Sequence, residues 1–371
     1  MRMRIVFIHR TVLDYTVETP YGHALGGTEA GLCYLCVELA KLGHSVVLAA
    51  NPSQPDRYLG VDCLNCKTAL TKDLLDGADV VVVANEALGR HLRELGVAKP
   101  LVLWVGHDVD QPAMKALETS RERKAWTGFA FVSQWQLERF SHTFWVPRAR
   151  ARVMRNAIAP AFALRHVAAS WFELGDPPIL AYTSAPYRGL DVLLSAFPSI
   201  RTAIPGSRLR VFSGLATTRG GPEDKRYDTL HRLCETTEGV EYFGPLSQPA
   251  LADALAETAA LTYPSTFPET SCIAAMEAMA GGAMVLTTHL GALPETLAGF
   301  GRTTAPREDS SEFAREFAAM VVAELVDIRR NPGDAAVRRM EQIAFARCNY
   351  EWSARALEWQ DWLIDMIDQQ P

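Results

Sequence analysis

Short, unbroken apolar runs rich in β-branched residues alternate with amphipathic stretches along this chain, and the series runs twice. RIVFIH (4–9), SVVLAA (45–50), DVVVVAN (79–85), LVLWVG (101–106) and FAFVS (129–133) read as buried strands, and TEAGLCYLCVELAKLG (28–43) as a helix ended by Gly43. RVMRNAI (152–158) closes the first series. The second has strands at PILAYTS (178–184), RLRVFSG (208–214), VEYFG (240–244), ALTYPS (260–265) and AMVLTT (283–288), a helix at GLDVLLSAFPSI (189–200), and only helical pattern after about residue 308. Continuous apolar strands between helices predict parallel sheets covered on both faces. The expectation is an α/β chain of two Rossmann-like domains, joined in the proline-bearing stretch near 158–177, a division that suits 371 residues.

Acidic residues outnumber basic ones by 43 to 37, which argues against the basic footprint of a nucleic-acid binder. No apolar run is long enough to span a membrane, and the N-terminal one is interrupted by His9 and Arg10 before it reaches signal-peptide length. A cytoplasmic location is expected. The seven cysteines, an odd and scattered set, suit reduced thiols. Cys33/Cys36 and Cys63/Cys66 have C-x-x-C form, but 26 residues separate the pairs and the first lies in a helical pattern. Zinc and packing both stay open, with packing favoured.

Ligands of such sheets sit beyond the carboxyl ends of the strands, so the residues just after each strand are the candidates. Gly26 and Gly27 end a long loop before a helix whose cap is expected at Thr28; they suit close approach of an anionic ligand. The pattern is not G-x-G-x-x-G, which removes the best support for a dinucleotide enzyme. His107 follows LVLWVG, and Asp108-Val-Asp110 forms a D-x-D, a weak metal-diphosphate signal. Ser184 ends one predicted strand, and Arg188 stands between that strand and the next helix, where a guanidinium can clamp a diphosphate.

FPETSCIAAMEAMAGG (267–282) carries the sharpest signal. A helix is expected to start near Thr270, with Glu269 at its cap and Glu277 about two turns in, on roughly the same side. The backbone N–H groups of Thr270, Ser271 and Cys272 would then face an anion between two carboxylates that accept hydroxyl hydrogen bonds. That suits a nucleotide sugar. The alternative is a capping Glu269 and a solvent-facing Glu277, but the apolar neighbours Ile273, Ala274, Met276 and Ala280 disfavour it.

This segment resembles the E-x7-E signature of the retaining GT-B glycosyltransferases of family 4, the glycosyltransferases group 1. GGTEAGLCYLCVELAKLGHSVVL, FVSQWQLERF with RVMRNAI, VEYFGPLSQPALADAL and YEWSARALEWQDWL are similar to further segments of that family. The resemblance implies an acceptor-binding domain over 1–165, a nucleotide-sugar-binding domain over 166–349, and a C-terminal helix over 350–371 that crosses back to the first domain, the two domains facing each other across a cleft. It implies a UDP- or GDP-sugar as substrate, no cofactor and no metal. It places Glu277 at the ribose, Glu269 at the transferred sugar and His107 near it. Gly26, Gly27 and residues 270–272 would face the diphosphate, and the backbone from Gly244 to Leu246 the base. Glu269, His107 and Arg188 are the catalytic candidates; Ser184 and Gly214 complete the donor set.

One departure is visible. Arg188 takes the second of two basic positions usual in the family, while the first holds Thr183. Arg219, Lys225 or Arg226 could replace the missing cation. Between 140 and 155, Phe144 and Trp145 stand beside Arg148, Arg150, Arg152 and Arg155, which suits an anionic acceptor or peripheral contact with the inner face of a membrane as well as a solvated loop. The acceptor class implied is a glycan, a lipid-linked glycan or a small molecule. Two alternatives stay open: a catalytically silent sugar-nucleotide-binding partner in a glycan-assembly complex, and a GT-B nucleotide-sugar epimerase.

Overall fold

The computed structural model describes residues 1–214 and 227–369. They form two compact units: residues 1–20, 25–157 and 352 onward, and residues 21–24 and 158–351.

The first unit is built on an eight-stranded sheet. Its strands are β1 (Arg4–Ile8), β2 (Ser45–Ala50), β3 (Asp56–Tyr58), β4 (Val61–Asn65), β5 (Val80–Ala84), β6 (Leu101–Val105), β7 (Gly128–Phe131) and β8 (Ala151–Val153), in the order β3-β4-β2-β1-β5-β6-β7-β8. Every pairing is parallel except β3 with β4. The order reverses between β1 and β5, so the crevice beyond their carboxyl ends is the site-forming edge. Helix α1 (Gly27–Lys41) leads from that edge, and α2 (Gln134–Phe144) follows β7.

In the second unit β9 (Ile179–Tyr182), β10 (Arg208–Val211), β11 (Val240–Tyr242), β12 (Ala260–Tyr263), β13 (Met284–Thr288) and β14 (Arg302–Thr304) are all parallel, in the order β11-β10-β9-β12-β13-β14. Here the order reverses between β9 and β12. Helix α3 (Leu190–Ala203) follows β9, α4 (Ile273–Gly281) follows β12, and α5 (Ser310–Arg330) and α6 (Pro332–Asn349) close the unit. The free carbonyls at the end of α4 are met by α6. Gln342 Nε2 donates to Met279 and Ala283 at 3.2 and 3.0 Å, Arg339 Nε to Gly282 at 3.0 Å and Arg347 Nε to Ala280 at 3.2 Å.

The last helix, α7 (Trp352–Asp368), belongs to the first unit. Trp359 meets Phe7 of β1 and Trp104 of β6 at ring distances of 6.4 and 5.2 Å. Gly31 and Gly128 let it approach: a Cβ on Gly128 would lie 2.6 Å from Met366 and 2.8 Å from Trp362, and one on Gly31 3.2 Å from Trp352. The expected return of the C-terminal helix to the N-terminal domain is thus observed.

Three strands have no sequence counterpart. β3 is mostly exposed, β4 is short and mixed, and β14 has only three residues, so none carries an apolar run. The stretch 158–165, read as the end of the first domain, lies in the second unit. Ile158 N donates to Tyr350 O at 3.0 Å and Ala159 N to Glu277 at 3.3 Å, which ties it there. β8 accordingly stops at Val153.

Candidate functional site

Glu269 is the hub of the second unit's site. It does not cap a helix, because α4 begins only at Ile273 with Cys272 as N-cap. Instead Glu269 forms a parallel bridge with Gly291, and Ala292 N donates to its carbonyl at 2.7 Å. Gly291 has φ +63°, and a Cβ there would lie 2.3 Å from Glu269 O and 2.6 Å from its N, so a side chain cannot be fitted without moving the glutamate. Gly189, with φ +110°, likewise leaves room for Pro264 O, which a Cβ would approach to 2.1 Å. These contacts fix the segments that follow β9, β12 and β13 against one another.

The Glu269 side chain is nearly buried and doubly held. Arg188 NH1 donates to its Oε1 at 2.6 Å, and the Tyr263 hydroxyl donates to the same atom at 2.5 Å. Burial raises the Tyr263 phenol above its ordinary value, so it stays a donor. Burial alone would lower the Arg188 guanidinium; the Glu269 carboxylate outweighs that and raises it. The guanidinium also faces the rings of Phe267 and Tyr187, at 4.5 and 5.6 Å. Tyr263, in turn, accepts from Ser184 Oγ at 3.3 Å.

Glu277 sits one turn into α4 and not two, since the helix starts three residues later than the sequence suggests. Residues 270–272 form the turn before it, so the free helical N–H groups belong to the residues that follow Cys272. The solvent-facing alternative fails: Glu277 is 4% exposed. Burial lifts its carboxyl to about 8, partly opposed by the hydrogen bond it accepts from Ala159 N at 3.3 Å. A carboxyl left inside apolar surroundings with one backbone partner has acceptor capacity to spare.

Three buried side-chain atoms near these carboxylates have no hydrogen-bond partner: Thr183 Oγ1, Arg188 Nε and Ser271 Oγ. Buried polar groups are seldom left so, and these three lie at the carboxyl edge of the sheet, where ligands of such folds sit. Gly214 and Gly244–Leu246 form a further wall. A Cβ on Gly214 would lie 2.9 Å from Pro245, and Ser213 Oγ donates to Ser184 O at 2.6 Å. The second unit therefore brings Ser184, Arg188, Gly214, Gly244, Leu246, Glu269, Thr270, Ser271, Cys272 and Glu277 to the carboxyl edge of one sheet. Arg219, Lys225 and Arg226 lie outside the described residues.

Gly26, Gly27 and His107 belong to the first unit, at the carboxyl edge of its sheet. Gly26, not Thr28, is the N-cap of α1. Thr28 Oγ1 instead accepts from Asn85 Nδ2 at 3.4 Å, while Asn85 Oδ1 accepts from Gly106 N at 2.5 Å. Asn85 has φ +58°, a conformation asparagine tolerates better than most residues. Gln136 Nε2 donates to the carbonyls of Val105 and His107, at 3.0 and 2.6 Å. Asn85 and Gln136 thus hold the turn that carries His107, and nothing in a one-residue signal marked either. Burial lowers the His107 imidazole from its ordinary value, against a smaller opposing effect of Asp110.

Other sequence signals dissolve. Asp108 is buried in an ion pair with Arg139 at 2.8 Å while Asp110 is exposed, so the D-x-D does not present two carboxylates together. Cys33, Cys36, Cys63 and Cys66 are buried free thiols, and among the described residues no three His, Cys, Asp or Glu side chains are grouped to hold a metal. Phe144 is buried against Phe140, with ring centres 5.4 Å apart, and Arg150 donates to Trp126 O at 2.7 Å. Only Trp145, 74% exposed, and Arg148, Arg152 and Arg155 remain on that surface.

Residues 177–322 match the family model described as glycosyl transferases group 1. A GDP-mannose-dependent α-(1-6)-phosphatidylinositol monomannoside mannosyltransferase of Mycobacterium tuberculosis is 26% identical over 226 residues, 57% of this chain and 57% of that protein. Only a little over half the length of that relative is therefore matched. Among solved structures, sucrose-phosphate synthase from Thermosynechococcus elongatus superposes with a TM-score of 0.71 at 16% identity over 100% of both chains. Anabaena HepE in complex with UDP-glucose gives 0.67 at 16% identity, over 98% of this chain and 100% of that one. At such identities the structural likeness speaks for the fold, and it runs the length of the chain. The second unit thus resembles the glycosyl transferases group 1, and the chain as a whole has the GT-B fold.

Proposed function

We propose that the chain is a retaining glycosyltransferase that moves a sugar from a nucleotide-diphosphate sugar to a glycan, lipid-linked or small-molecule acceptor, without a metal. The observation that carries this reading is the cluster at the carboxyl ends of β9 and β12. There an arginine Nε and two hydroxyls lack partners beside two buried carboxylates. In the proposed roles, Glu277 accepts hydrogen bonds from the ribose hydroxyls and Glu269 from the transferred sugar. Arg188, anchored by Glu269, directs its free Nε to the departing diphosphate, with the N-terminus of α4 adding partial positive charge. Gly26 and Gly27 are assigned to the diphosphate and His107 to the donor sugar. Gly214 and Gly244–Leu246 flank the base.

A GDP-mannose-dependent relative that acts on phosphatidylinositol monomannoside, and a structural neighbour solved with UDP-glucose, support a GDP- or UDP-sugar donor. The lipid-linked substrate of that relative, with Trp145 and its exposed arginines, supports work at the inner face of a membrane. Among the described residues no helix is long and apolar enough to cross one. The test is calorimetric titration with UDP, GDP, ADP and dTDP, without added metal. Selective micromolar binding of one is expected; a folded protein that binds none refutes the donor site. Thr183, which leaves the usual first phosphate cation unsupplied, favours a second reading, a silent partner that binds nucleotide without turnover. Release of sugar from the donor excludes it.

A further inference from the structure

The second unit holds a cavity of about 280 Å³ at the edge of the sheet opposite the donor site. It is reached by the first residues of β13 and β14 and by the turn before β12, whereas Arg188 and Glu269 follow the last residues of β9 and β12. Its walls are mostly apolar: Trp171, Phe172, Met284, Phe300, Ile328 and Ala335. An apolar cavity of about 150 Å³ is enough to admit benzene, so this one has room for a larger ring system.

The charges on its wall do not balance. Arg302 is paired with Glu324 at 2.7 Å and Arg338 with Asp327 at 3.4 Å, while Glu257 is taken by Arg210 at 2.9 Å. Glu341 is exposed. Arg339 is half-buried and, among the described residues, has only the bond from Nε to the Gly282 carbonyl at 3.0 Å; its terminal nitrogens have no protein acceptor. Burial holds this guanidinium below its ordinary value, with Glu173 giving a smaller effect the other way. An apolar chamber with one under-used guanidinium is the form of a site for an amphiphilic anion.

We propose that this cavity binds a small molecule with a one- or two-ring apolar body and a single carboxylate, sulfonate or phosphate that pairs with Arg339. The proposal stands apart from the donor reading, since it uses none of the same residues. The probe is 8-anilinonaphthalene-1-sulfonate, titrated by fluorescence into the full chain, with the uncharged N-phenyl-1-naphthylamine as its control. Saturable binding at one site is expected. Ala335→Trp, which fills the chamber, should remove binding of both probes. Arg339→Gln should weaken the sulfonate about tenfold and the neutral probe less than twofold, with the circular dichroism spectrum of the parent retained. Non-saturating fluorescence, or sulfonate affinity unchanged in folded Ala335→Trp, overturns the site. If Ala335→Trp does not fold, Arg339→Gln decides alone: equal effects on both probes, or none on either, overturn the assignment. Nucleotide affinity should be the same in Arg339→Gln as in the parent, so failure here is distinguishable from failure of the donor site.

Discussion

Glu277 should make the protein less stable as pH rises, and Glu277→Gln should abolish that loss. In the unfolded chain the carboxyl ionises near 4.5; in the folded protein burial raises this to about 8. Below pH 4.5 both states hold the proton. Between the two values the unfolded chain has released it and the folded protein has not, so folding becomes steadily less favourable. At about 1.4 kcal/mol for each pH unit, the span from 4.5 to about 8 amounts to about 5 kcal/mol. Glutamine keeps an oxygen for the Ala159 N–H and cannot ionise. The difference in urea-unfolding free energy between Glu277→Gln and the parent should therefore grow by about 3 kcal/mol from pH 5.5 to pH 8, in favour of the variant. Taking the difference cancels every other titrating group. A difference that stays constant within about 0.5 kcal/mol, the scale on which independent effects add, would refute the buried-acid reading. The ligand should report the same group. Ribose hydroxyls donating to Glu277 favour its ionised form, so nucleotide binding at pH 7 should release a proton, seen as a buffer-dependent calorimetric enthalpy that Glu277→Gln lacks.

Four further outcomes follow from the same contacts. Glu269→Ala should abolish sugar transfer while nucleotide affinity falls less than tenfold; normal transfer by the folded variant removes the assignment. Arg188→Met should destabilise by about 3 kcal/mol, because Glu269 is left buried and unpaired, and Arg188→Met with Glu269→Gln should recover part of it in the same unfolding assay. Gly291→Ala should cost about 2 kcal/mol and reduce transfer at least tenfold, since the added Cβ meets the Glu269 backbone and the φ is strained; unchanged kinetics contradict the close approach. His107, lowered by burial, should stay neutral through neutral pH, so nuclear magnetic resonance should find its titration below the ordinary 6.5.

The fold was legible where burial writes itself into residue type. Val80–Ala84 and Leu101–Val105 are wholly buried strands and wholly apolar runs, and the alternation of such runs with helices predicts parallel sheets. A strand not buried on both faces leaves no such record. Asp56–Tyr58 pairs antiparallel at the sheet's rim, and three residues of mixed polarity carry no period to read. The start of α4 was placed too early for a related reason. Thr270 and Ser271 look like caps, yet the bridge from Glu269 to Gly291, a residue 22 positions away, is followed by a bend at 270–271, and the first helical residue is Ile273. A pairing of that range overrides local preference.

The site was legible in its charges and illegible in its supports. A carboxylate amid alanines and methionines is costly enough to signal a function by itself, and Glu277 proved buried as that cost implies. Tyr263, Asn85, Gln136, Gly189 and Gly291 give no such signal. A tyrosine ending a strand or a glycine in a turn is ordinary until the structure shows which distant atom it meets. Their chemistry is positional: Tyr263 matters because its hydroxyl reaches Glu269, and Gly291 because its missing side chain lets the backbone of Glu269 in. The division is physical. The groups that would touch a charged ligand must be unusual residues for their surroundings, whereas those that hold them need only be the right shape at the right place. A sequence therefore announces what a site could do before it reveals what keeps the site in position. Thr183 joins the two: it stands where a basic residue is usual, and its buried, unpartnered hydroxyl is a polar group that a ligand oxygen would satisfy.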